Sequence, residues 1–481
     1  MAADALAYID GEAYAPGRWY ETIDPTTEKP IAAVADCGAA EVDAAARAAA
    51  AAAPSWAALP AGRRAEALGH AARSLEEQRG DLIDLAIADT GARRAVATAT
   101  QVDAAIARLA EWSRQPAALL DIPAPPDGPG VRTRVRRVPV GVVGCISPYN
   151  FPLLAMVGKA APALFAGNAV LLKPAPQDPL LVTALAQALI DGARRVGAPA
   201  GVVNLITGAA AEAGAAVVAH PAVSAVSFTG STVVGQQISR DAAPALKPLL
   251  LELGGKGAVI VRADADPRQV AEAVARTWTI QSGQVCLTPA RLLADDAIHD
   301  RLVAELRAIL GRLRVGDPRD PDVTVGPLIS AAQRDKVAAL TGGARDEGCQ
   351  VIEAGDVPGT GYFAPPALVL GCHPDNEIMR EEVFGPVLSV MRTHDDEEAV
   401  AVANSTRYAL YDYVFSADTA RARDLAGRLQ SAQVGVNTTR RNMAAPFGGN
   451  RCSGYGRSGG RYSLDLCTTL QALTERSGAD E

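Results

Sequence analysis

From Val140 to Phe228 short apolar runs alternate with helical segments, and this alternation restricts the fold more than any other feature of the chain. The runs Val140–Cys145, Ala169–Leu172, Val202–Ile206 and Ala225–Phe228 read as strands. Between them, Leu153–Phe165, Leu180–Val196 and Glu212–Ala219 read as helices. Such βαβ alternation argues for an α/β fold with a parallel sheet covered by helices. Ligands of such sheets bind beyond the carboxyl ends of the strands. Those ends carry Pro148-Tyr149-Asn150-Phe151-Pro152, Lys173-Pro174, Thr207-Gly208 and Thr229-Gly230-Ser231-Thr232, the expected walls of a nucleotide site.

A second series follows Glu252, with strands at Ala258–Ile260 and Arg291–Ala294 and helices at Pro267–Ile280 and Ala297–Leu313. Two or three domains suit the 481 residues. Near the start, Asp10-Gly11 between Tyr8-Ile9 and Tyr14 predicts a hairpin. Glu41 to about Arg114 reads as helical, and the alanine-rich stretch Ala44–Pro54 as a surface helix. Past the break at Pro123–Pro129, arginines and valines alternate over Val131–Val138 as in an exposed ribbon. The tail Tyr462–Leu473 is expected to pair with that ribbon or with another chain.

Candidate chemistry lies between Leu251 and Cys286. Glu252 ends an apolar run and is followed by Gly254-Gly255-Lys256, while Cys286 closes the loop Ser282-Gly283-Gln284-Val285-Cys286. Thiolate is the nucleophile, and a free cysteine with a pKa of about 8.5 is mostly thiol at neutral pH. A glutamate beside it can take its proton, and can later activate water against a thioester. Taken singly, Cys286 reads as a small buried residue and Glu252 as a surface acid. The glycines change that balance, because they permit sharp turns and close backbone approach.

A net charge of -8 argues against nucleic-acid binding. The 7 cysteines form no C-x-x-C pair, and their odd number suits neither a disulfide framework nor a zinc site, so a reducing cytoplasm is expected. The 5 histidines show no metal-ligand spacing, and no metal is expected. Neither a signal peptide nor a membrane span is expected. Gly454-Tyr455-Gly456-Arg457-Ser458-Gly459 fits a dinucleotide fingerprint, and the segment from Gly456 to Gly460 fits a G-x-S-x-G elbow around Ser458. Both lack the preceding strand that their chemistry needs.

In order, the chain holds P-x-N-F-P at 148–152, Lys173-Pro174, Ser227–Thr232, Leu251–Lys256, Gly283–Cys286, Glu382-Val383-Phe384-Gly385-Pro386 and Pro446-Phe447-Gly448-Gly449. On these seven boxes it resembles the NAD(P)-dependent aldehyde dehydrogenase superfamily over essentially its whole length. The resemblance implies an NAD(P)-binding, Rossmann-like domain over 1–120 and 140–253 and an α/β catalytic domain over 254–455. It also implies a β oligomerisation arm and tail over 121–139 and 456–481, hence a homodimer or homotetramer. The implied reaction is oxidation of a small-molecule aldehyde to a carboxylic acid. Cys286 would attack the carbonyl, Asn150 and the Cys286 N–H would hold the oxyanion, and Glu252 would activate water against the thioester. Each oxyanion donor is worth about 10²–10³ in rate in other enzymes. By the same pattern Lys173 binds the adenosine ribose, Ser231 the pyrophosphate and Glu382 the nicotinamide ribose, with Phe384 beside the nicotinamide, and Gly208 and Gly230 are further expected cofactor-binding residues. Phe151, Gly158, Arg440, Arg441 and Phe447 are the expected substrate residues.

Departures from the family pattern carry information. Tyr149 replaces the commoner tryptophan, and Ala210 stands where a second glycine usually follows Gly208. Gly158 falls where many relatives place a bulky tryptophan, so a widened tunnel is expected. Pro176 stands where NAD-preferring relatives often carry a ribose-binding glutamate, so use of both NAD and NADP is expected. Arg440 and Arg441 read either as two solvated loop arginines or as a partner for a substrate with an acid group. A CoA-acylating relative and a thiol esterase are the alternatives. The first usually lacks a glutamate such as Glu252, and the second needs no nicotinamide.

Overall fold

The computed structural model describes residues 4–477, so residues 1–3 and 478–481, the ends of the segments expected at 1–120 and 456–481, lie outside the described residues. Two sheets organise the chain, and each expected βα series builds one of them. The first has eight strands, in the order Glu12–Tyr14, Ala7–Ile9, Val203–Leu205, Ala169–Lys173, Val142–Ile146, Ala225–Thr229, Leu249–Glu252 and Gly454–Tyr455. Its five middle strands run parallel. They are apolar and almost wholly buried, as helix cover on both faces requires. Lys173, Thr229 and Glu252 therefore stand together at the carboxyl ends of three strands.

The second sheet has seven strands, in the order Gln350–Glu353, Ala367–Leu370, Val387–Thr393, Pro289–Asp295, Gly257–Val261, Tyr411–Phe415 and Gln433–Val436. All its pairs are parallel except the antiparallel hairpin at one edge. Gly257–Val261 follows Glu252 by only a few residues, so the acid at the end of one sheet lies close to the start of the other.

The hairpin at Asp10-Gly11 forms, with φ of 52° and 75° at its two turn residues, the left-handed pair that a two-residue connection needs. The ribbon Val131–Pro139 pairs antiparallel with Thr468–Arg476 of the same chain, so the tail meets the arm. The alanine-rich helix, Ala39–Ala58, is more than a surface helix. Val42, Ala45, Ala46, Ala49, Ala52, Ala53 and Trp56 form a buried face, and Trp56 Nε1 donates to Leu164 O at 3.0 Å. Alanine carries little apolar area, but it lets a helix approach its neighbour closely. No helix among the described residues is long and apolar enough to cross a membrane.

Candidate active site

A cavity of about 1180 Å³ opens between the two sheets, and Cys286, Glu252, Asn150, Lys173, Ser231, Glu382 and Phe384 all line it. The loop before Cys286 is strained. Gln281, Ser282 and Gly283 have φ of 48°, 55° and 75°, three consecutive left-handed residues of which two are not glycine. Left-handed backbone costs about 1–2 kcal/mol for a residue with a Cβ. Buried hydrogen bonds offset that cost: Gln281 Nε2 donates to Thr90 O at 3.0 Å, and Ser282 Oγ to Gly326 O at 2.8 Å. Ile329 N donates to Gln284 Oε1 at 3.0 Å. A Cβ at Gly283 would lie 2.1 Å from Gly385 O, so only glycine fits where the two loops touch.

Asn150 is fixed from three sides. Its Nδ2 donates to Gln284 O at 2.7 Å, its Oδ1 accepts from Phe151 N at 3.1 Å, and its own carbonyl accepts from Gln101 Nε2 at 2.7 Å. The side-chain amide is thereby tied to the residue two before the thiol. Glu382 Oε1 accepts from Gly255 N at 2.7 Å, and a Cβ at Gly254 would lie 2.5 Å from Glu382 Oε2. The glycines after Glu252 thus make room for a second carboxylate. Phe384 is held at φ 54° while Gln333 Nε2 donates to Val383 O and Phe384 O, both at 2.9 Å, and its ring meets Tyr149 edge-on at 5.8 Å. Burial, with the charges of Glu252 and Glu382 nearby, pushes the Cys286 thiol up to about 12.

Glu252 is held by both oxygens. Thr229 Oγ1 donates to Oε2 at 3.0 Å, and Ser458 Oγ donates to Oε1. Behind Thr229, the buried Lys159 ammonium donates to Thr229 Oγ1 at 2.7 Å and to Ser227 Oγ at 3.2 Å.

At the other end, Gly230-Ser231 leads into the helix Thr232–Ala242, whose first turn Ser231 caps by accepting from Val234 N at 3.3 Å. Lys173 Nζ donates to Pro174 O at 2.9 Å and to Gly208 O at 3.3 Å, and burial lowers its pKa to about 8. A helix N-terminus, a buried ammonium and the Glu382 carboxylate on one cavity suit a dinucleotide, because its pyrophosphate needs backbone donors and its hydroxyls need acceptors.

The profile of the aldehyde dehydrogenase family matches residues 12–473. The chain belongs to that family. It is 37% identical over 471 residues to the 2-hydroxymuconic semialdehyde dehydrogenase of Pseudomonas sp. (strain CF600), covering 95% of this chain and 96% of that one. It is 34% identical to the 2-aminomuconic 6-semialdehyde dehydrogenase of Pseudomonas sp., covering 98% and 97%. The structure of PnpE from Pseudomonas sp. WBC-3 superposes with a TM-score of 0.93, and that of PnpE in complex with nicotinamide adenine dinucleotide with 0.94, each at 32% identity and covering 99% of each chain. This aldehyde dehydrogenase oxidises an aldehyde to a carboxylic acid with a nicotinamide dinucleotide.

Three expectations meet a different structure. Arg440 is exposed and does not line the cavity, whereas Arg441 does, with its Cζ 3.6 Å from the centroid of the Phe447 ring. Neighbouring side chains on a loop diverge, so one of the pair faces inward. Gly208 also lies outside the lining; it stands behind the wall, where a Cβ would meet Cys37 O at 3.0 Å. Gly158 does not widen the aldehyde dehydrogenase tunnel. A Cβ there would lie 2.7 Å from Arg108 Nη1, so the missing side chain makes room for a guanidinium from the helix Ala104–Trp112.

Phe151, Gly158 and Phe447 line the cavity. Sequence reading missed Arg108, Lys159 and the part played by Ser458. Arg108 reads as an ordinary helix arginine, and its only signal was the vacancy at Gly158. Ser458 was visible as the serine of the rejected elbow; its hydroxyl faces the Glu252 carboxylate.

Proposed function

We propose that this aldehyde dehydrogenase acts on aldehydes that carry a carboxylate at their far end, which Arg108 and Arg441 hold. The carrying observation is that both guanidinia enter one cavity near enough for each to act on the other's charge. Burial lowers the pKa of both, yet arginine stays charged at any working pH. Glu252 acts on both through space, but neither arginine forms an ion pair among the described residues. An anion between them relieves the repulsion and adds charge-assisted hydrogen bonds. The names of the relatives support this reading, since a semialdehyde is a dicarboxylic acid with one end at the aldehyde level.

Arg108→Ala and Arg441→Ala are each expected to lower kcat/KM for a carboxylate-bearing aldehyde by about 10- to 100-fold, mostly through KM, and to spare neutral aldehydes. Steady-state assays with a matched acidic and neutral pair check this. Equal effects on both substrates would remove the pairing.

In the proposed mechanism the Cys286 Sγ bonds to the aldehyde carbon after its proton passes to Glu252. One Asn150 N–H is committed to Gln284 O; the other, with the Cys286 N–H, holds the oxyanion. A bound nicotinamide would supply the hydride acceptor that oxidation of the substrate carbon needs. Glu252 first gives the thiol proton up to solvent and then removes a proton from water, whose oxygen bonds to the thioester carbon, and the C–S electrons return to Sγ as the acid leaves. Lys173 would hold the adenosine ribose, Gly230 and Ser231 the pyrophosphate at the helix N-terminus, and Glu382 the nicotinamide ribose beside Phe384.

Dual cofactor use is part of the proposal. Pro176 lines the cavity near Lys173 and can neither accept from a ribose 2′-hydroxyl nor repel a 2′-phosphate, and Arg240 lines the same cavity. Pro176→Glu is expected to depress kcat/KM selectively with NADP. A wild type more than about 100-fold selective for NAD would overturn it.

The ribbon Val131–Pro139 with Thr468–Arg476 exposes Leu470 at 61%, which supports a homodimer or homotetramer built through the arm. All seven cysteines are free, which favours the cytoplasm.

A further inference from the structure

We propose that Ser458 is a positioning residue for the water-activating step: its hydroxyl aims the Glu252 carboxylate at the thioester carbon. The proposal rests on the assignment of Glu252 as the base. The Ser458 side chain has two acceptors, Glu252 Oε1 and Phe447 O, the latter at 3.3 Å. Its backbone is clamped on both sides, because Ser458 N donates to Phe447 O and Phe447 N to Ser458 O, each at 2.7 Å. A serine held by its own main chain has only χ1 left to place its oxygen, so it has far fewer positions open to it than a glutamate carboxylate.

The glutamate it meets has more freedom. Glu252 ends its strand at Leu249–Glu252, and three torsions separate its backbone from its carboxylate. Thr229 Oγ1 restrains one oxygen and Ser458 the other. With Thr229 alone, the carboxylate can pivot about a single hydrogen bond. With both, its plane is set.

Three positive charges act on Glu252, those of Lys159, Arg108 and Arg441. Lys159 stands behind the Thr229 tether, whereas Arg108 and Arg441 line the cavity, so without a second tether the carboxylate is free to turn toward the arginines. Ser458 keeps the base apart from the arginines while a substrate carboxylate occupies them, so two acidic groups share one cavity without exchanging partners. In the step itself, water gives its proton to the Glu252 carboxylate and its oxygen bonds to the thioester carbon. As the C–S bond breaks, its electron pair returns to Cys286 Sγ. The Ser458 hydroxyl is neither consumed nor oxidised; once Glu252 is protonated, it turns to Phe447 O.

Ser458→Ala is expected to leave the pre-steady-state burst of reduced cofactor within about twofold of wild type and to slow steady-state turnover about tenfold. Ser458→Thr, which keeps the hydroxyl, should recover most of that rate, and Ser458→Cys, a weak donor of similar size, should behave like alanine. In the Glu252→Gln background Ser458→Ala should cause no further loss, because a residue acting through Glu252 has nothing left to aim. Equal loss of burst and turnover, additive losses in the double variant, or no rescue by threonine would each overturn the role of Ser458. If Glu252→Gln alone leaves turnover intact, the assignment of the base has failed instead, and the two failures are thereby told apart.

Discussion

Cys286→Ala is expected to abolish aldehyde oxidation, with kcat falling by about 10⁴-fold or more, while binding of the nicotinamide dinucleotide persists. Only a thiol at this point of the cavity can form the covalent intermediate. Cys145 is fully buried on a central strand of the first sheet, and burial pushes the thiols of Cys145 and Cys467 well up. Cofactor titration by protein fluorescence should give a Kd within a few-fold of wild type. Mass spectrometry of enzyme trapped during turnover should place the acyl adduct on Cys286, and an adduct on Cys145, Cys452 or Cys467 would overturn the assignment. The free enzyme offers a second check. Because the Cys286 thiol is pushed up to about 12, the thiolate fraction rises about tenfold per pH unit between pH 7 and pH 10. Alkylation by iodoacetamide should follow that slope in wild type and be absent at this residue in Cys286→Ala. A rate that levels off near pH 8 would show the thiol is not held up.

Glu252→Gln is expected to slow thioester hydrolysis by about 10²–10³-fold and the first burst of reduced cofactor by much less. The amide keeps the size of the side chain, and its oxygen can still accept from Thr229 or Ser458, so the loss reports basicity rather than collapse of the site. Stopped-flow absorbance at the reduced-nicotinamide band separates the phases. The expected trace is one rapid turnover per active site followed by a slow steady state. If both phases fall equally, Glu252 acts chiefly on the thiol, whose raised pKa gives it need of a base. A burst without hydrolysis would also expose the acyl enzyme to added thiols, which should then release a thioester product.

Much of the fold was legible because its determinants are local. The runs around Val142–Ile146, Ala169–Lys173 and Ala225–Thr229 are apolar on both faces, and that composition suits only strands covered on both sides. Gly254, Gly255 and Gly283 announced close approach, and the atoms they admit are Glu382 Oε2, Cys286 O and Gly385 O. The burial of Ala39–Ala58 was not legible, since alanine scores as neither face of a helix and only its neighbours decide which side is covered.

What the sequence determined by itself is the α/β architecture, the loop that carries Cys286 and the carboxyl-end position of Glu252. Each depends on residues within a few positions of one another, where periodicity and glycine conformation act directly. Only the tertiary structure decided that Arg108 fills the space left by Gly158, that Arg441 rather than Arg440 faces the cavity, and that Ser458 meets Glu252 across 206 residues of chain. Such meetings are set by the order of the strands and by which loop closes over which. No local pattern encodes them, because a side chain's own neighbours in sequence fix its direction from the backbone but not what stands in its path.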